Sequence, residues 1–436
     1  MTEKQSACVL RAAGRTGLAG ILAMALAAGA VSAEPAPPQT AACPAWTHSY
    51  TMHSSGTSSV ILPTEDGGII LVGDLGKIDF GANIMVPDDW RVVAVRFDRC
   101  GKAQYAVPVG PKESAVEVAT LEAEGSFYVA GASTSNRSWI AKVDRNGHQL
   151  WLTPYTSKHS GLIGLHPSGD GSVVLLANVS TGLTIGGRTF SDPETVDGTI
   201  IIPAVPFLFV IDADGRLTYS EDLDRHAKFL FQARDRFYVA TRLGTGHAGS
   251  NYPNEVEART NDGHKLWRRE LEPIGQLAIH PKGGLLHFVD SYAPRCGWAW
   301  YNCPMEKRER VEINETGEIV SRVAVEGFGK TPLPPQIANR LRSGKRRTKT
   351  EVLSGGIVWD VDRNGYAVLR GFPAGYLVVD EQGLIVDAGA VPGLNPSRDQ
   401  FVREEIRWAA DGAAFALYFK SKNPMTFHLT KWTPRR

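Results

Sequence analysis

Ala141-Lys-Val-Asp144-Arg-Asn-Gly147-His-Gln-Leu-Trp151 is the stretch that decides the fold of this chain. It reads as a strand, a tight turn and a second strand. Asp144 bonds its own turn backbone, and Gly147 takes positive φ without steric cost, which is the chemistry of a hairpin. The second strand carries an aromatic residue four positions after the glycine.

The element recurs as Val-Arg-Phe-Asp98-Arg-Cys-Gly101, Phe-Val-Ile-Asp212-Ala-Asp-Gly215, Ala-Arg-Thr-Asn261-Asp-Gly263, Val-Glu-Ile-Asn314-Glu-Thr-Gly317 and Val-Val-Asp380-Glu-Gln-Gly383. Tyr105, Tyr219 and Trp267 repeat the aromatic position. A second element precedes these copies: a strand, a short polar turn and a very apolar strand, as in Val60–Val72, Leu162–Leu176, Gln276–Phe288, Val358–Leu369 and Ile406–Leu417. Two hairpins give four antiparallel strands, which is one propeller blade, and repetition of the unit marks a repeat architecture.

The expected fold is therefore all-β: a seven-bladed β-propeller of four-stranded antiparallel blades. The blades fall near 58–110, 114–155, 161–223, 227–272, 275–326, 354–391 and 404–434. The last has only three strands: Glu405–Ala409, Ala413–Lys420 and Met425–Trp432. Ala45–Tyr50, at the other end, has the aromatic pattern of an outer strand and no blade of its own. It is expected to complete blade seven and remove an open sheet edge.

Residues 1–33 read as a secretory signal peptide. Lys4, Arg11 and Arg15 form a basic start, Leu18–Val31 is apolar, and Val31-Ser32-Ala33 suits a signal peptidase. The apolar stretch is shorter than the ~20 residues of a spanning helix. No transmembrane segment is expected after its removal. Residues 34–44 form a Pro-rich linker, and 45–436 form a single propeller domain. Of the 47 basic and 46 acidic residues, the leader holds three and one, leaving 44 and 45. That balance argues against a nucleic-acid partner, which needs a basic excess. The signal-peptide reading leads to a secreted or periplasmic protein, expected to be a monomer.

Cys43, Cys100, Cys296 and Cys303 remain after the leader, an even number that favours disulfides in an exported chain. Cys296–Cys303 and Cys43–Cys100 are the expected pairs. The second would lock the closing strand to blade one.

The repeats resemble bacterial seven-bladed propeller repeats of the exported SBBP type. Their copies read roughly Gly-x-x-Tyr-Val-x-Gly, a loop with Asp-Phe-Gly, then Ala-Lys-x-Asp-x-x-Gly-x-x-x-Trp. The matching residues are Gly125-Ser-Phe-Tyr128-Val-Ala-Gly131, Ala141–Trp151 and Asp79-Phe80-Gly81. They are also similar to PQQ-type repeats in the spacing of Gly147 from Trp151 and Gly263 from Trp267. The resemblance implies an exported propeller of undefined activity. It supports the fold more than a function.

Blade topology sorts the loops. Turns within the first and last hairpins share one face and are short. The insertions at 76–91, 181–206, 244–254, 293–306, 327–353 and 392–403 share the other, which is the expected working surface. Cys296-Gly-Trp298-Ala-Trp300-Tyr301-Asn-Cys303 offers three aromatics in a small loop, suited to anchoring sugars, peptides or proteins. Arg340, Arg342, Lys345, Arg346 and Arg347 form a basic run suited to an anionic polymer or membrane surface. Thr181–Pro206 is read as an added hairpin. Asp360-Val-Asp362-Arg-Asn364-Gly365 begins like a calcium loop but has Gly371 where the glutamate belongs. His166 and His280 occupy equivalent turns and read as repeat features. No catalytic motif stands out, and neither a metal nor a cofactor is expected. The leading reading is a binding scaffold, with an unknown protein, peptide or glycan as partner. The alternative is an enzyme on the central axis, namely a quinone-cofactor oxidoreductase, a lyase or a hydrolase.

Overall fold

Strands with near-continuous apolar runs, buried on both faces, build the seven blades. The computed structural model describes residues 43–435 apart from 53–58, 82–83, 87–91, 134–136, 158–160, 180–182, 191–204, 224–226, 234, 242–254, 273–274, 293–304, 328–334, 336–357, 372–374, 393–400 and 421–424. Blade one consists of Ser59–Pro63, Ile69–Asp74, Val92–Phe97 and Ala103–Pro108. Blades two to six repeat that meander from Ser114, Gly161, Ala227, Gly275 and Val358. In blade seven, Phe401–Trp408, Ala414–Lys420 and Met425–Trp432 are completed by Trp46–Met52. This closing strand pairs antiparallel with the third strand in unbroken register from Trp46↔Lys431 to Met52↔Met425. The inner strands touch in ring order, and blade seven touches blade one.

The expected seven-bladed propeller, closed by its own N-terminal strand, is the observed fold. Each sheet has one face toward each neighbouring blade, so both faces are apolar. Seven apolar clusters fill the seven gaps. The gap between blades three and four differs. There the third strand of blade four, Glu255–Thr260, turns Glu255, Glu257 and Arg259 toward blade three, and all three are buried. Arg259 pairs with Glu257 and with Glu221 of blade three, so every ion removed from water has a partner.

The outer turns are capped as their sequences require. Asp144 Oδ1 accepts from the amides of Asn146 and His148 at 2.8 Å each. Asp98, Asp212 and Asn314 repeat the pattern at 2.8–3.0 Å. Blade four corrects the sequence alignment. Its capping residue is Thr260, whose hydroxyl accepts from the His264 amide at 3.0 Å. Asn261, expected to cap that turn, is the second turn residue and bonds elsewhere.

The second residue of each outer turn is where the preceding blade docks. Trp46 Nε1 donates to Arg99 O (3.1 Å), Trp151 Nε1 to Ala213 O (2.8 Å) and Trp267 Nε1 to Glu315 O (2.6 Å). Arg96 donates to Arg145 O at 3.4 Å. His166 and Ser168 reach Asn261 at 2.8 and 3.3 Å, and Lys282 reaches Glu381 at 2.9 Å. The aromatic that follows the repeat glycine thus covers the next blade's turn. Gly101 has φ +82°, and a Cβ there would lie 2.7 Å from the Trp46 ring. A parallel set ties the inner turns. Lys142, Arg310 and Lys431 donate to the carbonyls of Gly171, Gly365 and Gly67 in the next blade, at 3.2, 2.7 and 2.7 Å.

Cys43 and Cys100 form the expected disulfide, with Cα atoms 5.2 Å apart. Cys100 belongs to the turn on which Trp46 docks, so the bridge and the indole hold the same point. Cys296 and Cys303 lie outside the described residues. Closing a 57-residue separation is worth about 4 kcal/mol in chain-entropy terms. Cys43→Ser/Cys100→Ser should therefore lower unfolding stability by about 2–4 kcal/mol, measured by urea denaturation.

Candidate functional site

Of the expected disulfide, aromatic-loop and basic-run residues, only Cys43 and Cys100 lie within the described part of the chain. Trp298, Trp300, Tyr301, Cys296 and Cys303 fall in 293–304. Arg340, Arg342, Lys345, Arg346 and Arg347 fall in 336–357. Both segments lie outside the described residues. The stems of 293–304 and of the neighbouring insertion 242–254 are described and carry polar clamps.

The stem of 293–304 holds a buried bidentate pair. Arg308 Nε and Nη2 donate to Asp290 Oδ1 and Oδ2 at 2.5 and 2.8 Å, and the two side chains are 0% and 1% exposed. Asp290 and Arg308 are opposed in register on the two strands that lead into the loop. The stem of 242–254 repeats the device in blade four. Thr241 and Glu255 are opposed, the hydroxyl donates to Glu255 Oε1 at 3.0 Å, and Arg268 holds Oε2 at 2.6 Å. Charge-assisted bonds in a dry setting are short and directional. Breaking one such pair leaves an uncompensated buried charge, so both stems are fixed in place. Sequence reading missed these five residues. The available signal was polar side chains where other blades are apolar.

Two insertions are described in part. Leu183–Ile185 and Arg188–Phe190 form the added hairpin expected within 181–206. Its first strand pairs antiparallel with blade two's outer strand, Gln149–Ser157, through Tyr155↔Ile185 and Ser157↔Leu183, and so extends that sheet to six strands. In blade one, Ile78–Asp79 pairs with Met85–Val86. Phe80 between them packs against Tyr50 of the closing strand at a centroid distance of 4.9 Å.

The short-turn face carries a cleft of about 950 Å³ where the inner hairpins of blades three, four and five meet. The inner strands of blades four and five touch least of the seven neighbouring pairs, which leaves this room. Gln232 of blade four is drawn away from blade five. Its Oε1 accepts from Thr120 of blade two at 2.5 Å and its Nε2 reaches Leu121 O at 3.4 Å. Asn261 forms one wall. Its Nδ2 donates to Ser168 O at 2.9 Å, so its Oδ1 accepts from His166 Nε2 at 2.8 Å. His166 is fully buried, and burial pushes its imidazole down to about 4, which keeps it neutral. His280 holds the equivalent place in blade five, and its pKa is also lowered by burial. Its Nδ1 accepts from the Lys282 amide at 3.2 Å, and Glu312 lies 3.6 Å from Nε2. The two histidines are repeat features in position, as expected, but their partners differ.

Carboxylates of the inner strands bind the next blade across the axis. Glu117, Asp360 and Glu405 accept from the amides of Leu162, Trp408 and Ile61 at 3.3, 2.8 and 3.3 Å. Burial raises the carboxyls of Glu117 and Asp360 above the usual carboxylate range. Asp362 caps its own turn through the amides of Asn364 and Tyr366, at 2.9 and 2.8 Å. The two aspartates of the calcium-like stretch therefore have separate structural tasks.

No protein-family model matches the sequence, and no curated protein is similar to it. Solved structures are similar in fold. BamB from Moraxella catarrhalis is 11% identical, with TM-score 0.39 over 87% of this chain and 99% of that one. The β-propeller domain of the Trilobed protease from Pyrococcus furiosus is 8% identical, with TM-score 0.46 over 87% and 94%. A protein of unknown function from Bacteroides caccae is 11% identical, with TM-score 0.35 over 68% and 89%. At such identities the likeness concerns the fold alone.

His166 links the cleft wall to pH. Above about pH 6.5 the imidazole is neutral in folded and unfolded chains alike. Below it the unfolded chain takes up a proton that the folded one refuses down to about pH 4. Stability should therefore fall as pH drops through this window, by about 2–3 kcal/mol from His166 between pH 7.5 and 4.5. In His166→Gln, urea denaturation at the two pH values should show that share of the loss removed.

Proposed function

We propose that the protein is an exported binding scaffold that recognises a protein, peptide or glycan through loops of its insertion-rich face. The observation that carries this reading is the pair of polar clamps at the stems of adjacent insertions: the buried Asp290–Arg308 pair, and the buried Thr241–Glu255 pair held from the surface by Arg268. A loop held at its stem loses less freedom on binding, so more of its contact energy becomes affinity. Trp298, Trp300 and Tyr301 lie in the loop that springs from the first clamp, and large rigid aromatics suit such a role. Arg340, Arg342, Lys345, Arg346 and Arg347 would supply a charged flank.

Export is supported by the leader-like residues 1–33 and by the Cys43–Cys100 bridge, since disulfides persist in oxidising compartments. Among the described residues no helix is long and apolar enough to cross a membrane. The test is a glycan, peptide and protein binding screen on the purified protein, repeated with Trp298→Ala/Trp300→Ala. The double variant should keep its melting temperature and lose affinity for the strongest ligand by at least about tenfold, the scale of a binding hot spot. Unchanged affinity would overturn the reading.

A further inference from the structure

We propose a second binding site, independent of the insertion loops: the cleft between blades four and five on the short-turn face takes a basic peptide segment. The site begins with its shape. At about 950 Å³ it sits at the upper end of the ordinary range for ligand pockets, about 300–1,000 Å³. That is room for a short segment with a long side chain. Its walls are set before any ligand arrives. Asn261 is held by His166 and Ser168, and Gln232 is tied across the axis to Thr120. The Glu315 carboxylate lies directly over the turn of blade five, where a Cβ on Gly283 would fall 2.0 Å from its Oε1.

The chemistry of the walls selects the occupant. Asp170, Asp235 and Glu315 bring carboxylates from turns of three successive blades. Lys282 is the only cation among the described wall residues, and Glu381 holds it at 2.9 Å. Arg236 lies behind the wall and pairs with both Asp235 and Glu315. Among the described residues four carboxylates thus face two cations, and that balance is negative. Ala233, Ile279 and Pro281 add an apolar strip beside these acids. A lysine or arginine side chain needs both, a surface for its methylene stem and acceptors for its charged head. The only aromatic ring among the described wall residues is the His280 imidazole, so the described wall offers no large aromatic platform of the kind on which a sugar stacks. An acidic peptide would meet like charge.

The probe is a fluorescein-labelled Gly-Arg-Gly-Arg-Gly amide, with Gly-Glu-Gly-Glu-Gly as its counterpart, followed by anisotropy on the purified protein. The arginine peptide should bind, weaken as salt is raised, and outcompete the glutamate peptide. Asp170→Asn/Glu315→Gln should raise its Kd at least about tenfold, the effect of removing charged partners at an interface. Lys282→Glu, which adds to the negative surplus, should lower it. Trp298→Ala/Trp300→Ala should leave it unchanged, which separates this site from the loop-face reading. Equal affinity for the two peptides, or an unaltered Kd in both cleft variants, would overturn the proposal. So would loss of binding in the loop variant.

Discussion

The ring depends on one repeated contact, the seating of a blade on the second residue of the next blade's outer turn, which recurs at six of the seven gaps. Trp46, Trp151 and Trp267 perform it with an indole N–H, at 3.1, 2.8 and 2.6 Å from the turn carbonyl. Arg96, His166 and Lys282 perform it with other donors. A propeller has no core shared by the whole chain, only gaps between neighbouring sheets. Its stability is close to a sum of such local interfaces, and one unlatched gap opens a sheet edge. Closure uses the same contact. Trp46 lies in the first strand of the chain, yet it meets blade one as Trp151 meets blade three, and the Cys43–Cys100 bridge makes the seating covalent.

The same contact explains why variation gathers on one face. Four of the outer turns present a backbone carbonyl to an indole or guanidinium of the preceding blade, and the turn glycine lies close beneath the seated ring. A Cβ on Gly317 would lie 2.8 Å from Trp267, and one on Gly101 2.7 Å from Trp46. The inner turns are also engaged, through the lysine and arginine bonds to Gly67, Gly171 and Gly365. Insertions there would unseat a neighbour. Loops on the other face have lengthened, and their described parts pack on neighbours by other means, the 183–190 hairpin on blade two and Phe80 on Tyr50. Where two of them spring from blades four and five, buried polar clamps replace the apolar packing used elsewhere. The cleft on the short-turn face arises without any insertion, from a slackened contact between two inner strands.

Much of the fold was legible because its signals are local. Strand, aspartate, turn and glycine sit within eleven residues at Ala141–Trp151, and the missing strand of blade seven was visible as a surplus strand at Ala45–Tyr50. The single misreading, Asn261 as a turn cap, came from a spacing of two to Gly263 where the other copies have three. That offset was the clue that Thr260 caps the turn and Asn261 is released to meet His166. The candidate site was much less legible. Gln232 and Thr120 are 112 residues apart in sequence, and Arg236 and Glu315 are 79 apart. Their juxtaposition follows from blade order and a strand separation that no local pattern encodes. The Glu255-x-Glu257-x-Arg259 alternation was in plain view, but its meaning required knowing that this strand faces blade three.

The most direct test of the closure account is amide hydrogen exchange on Trp46→Ala. Removing the indole should lower protection at least about tenfold across Met425–Trp432, which pairs with the closing strand, and across the turn Asp98–Lys102, while blade four keeps its wild-type protection. Wild-type protection at Met425–Trp432 in that variant would contradict it.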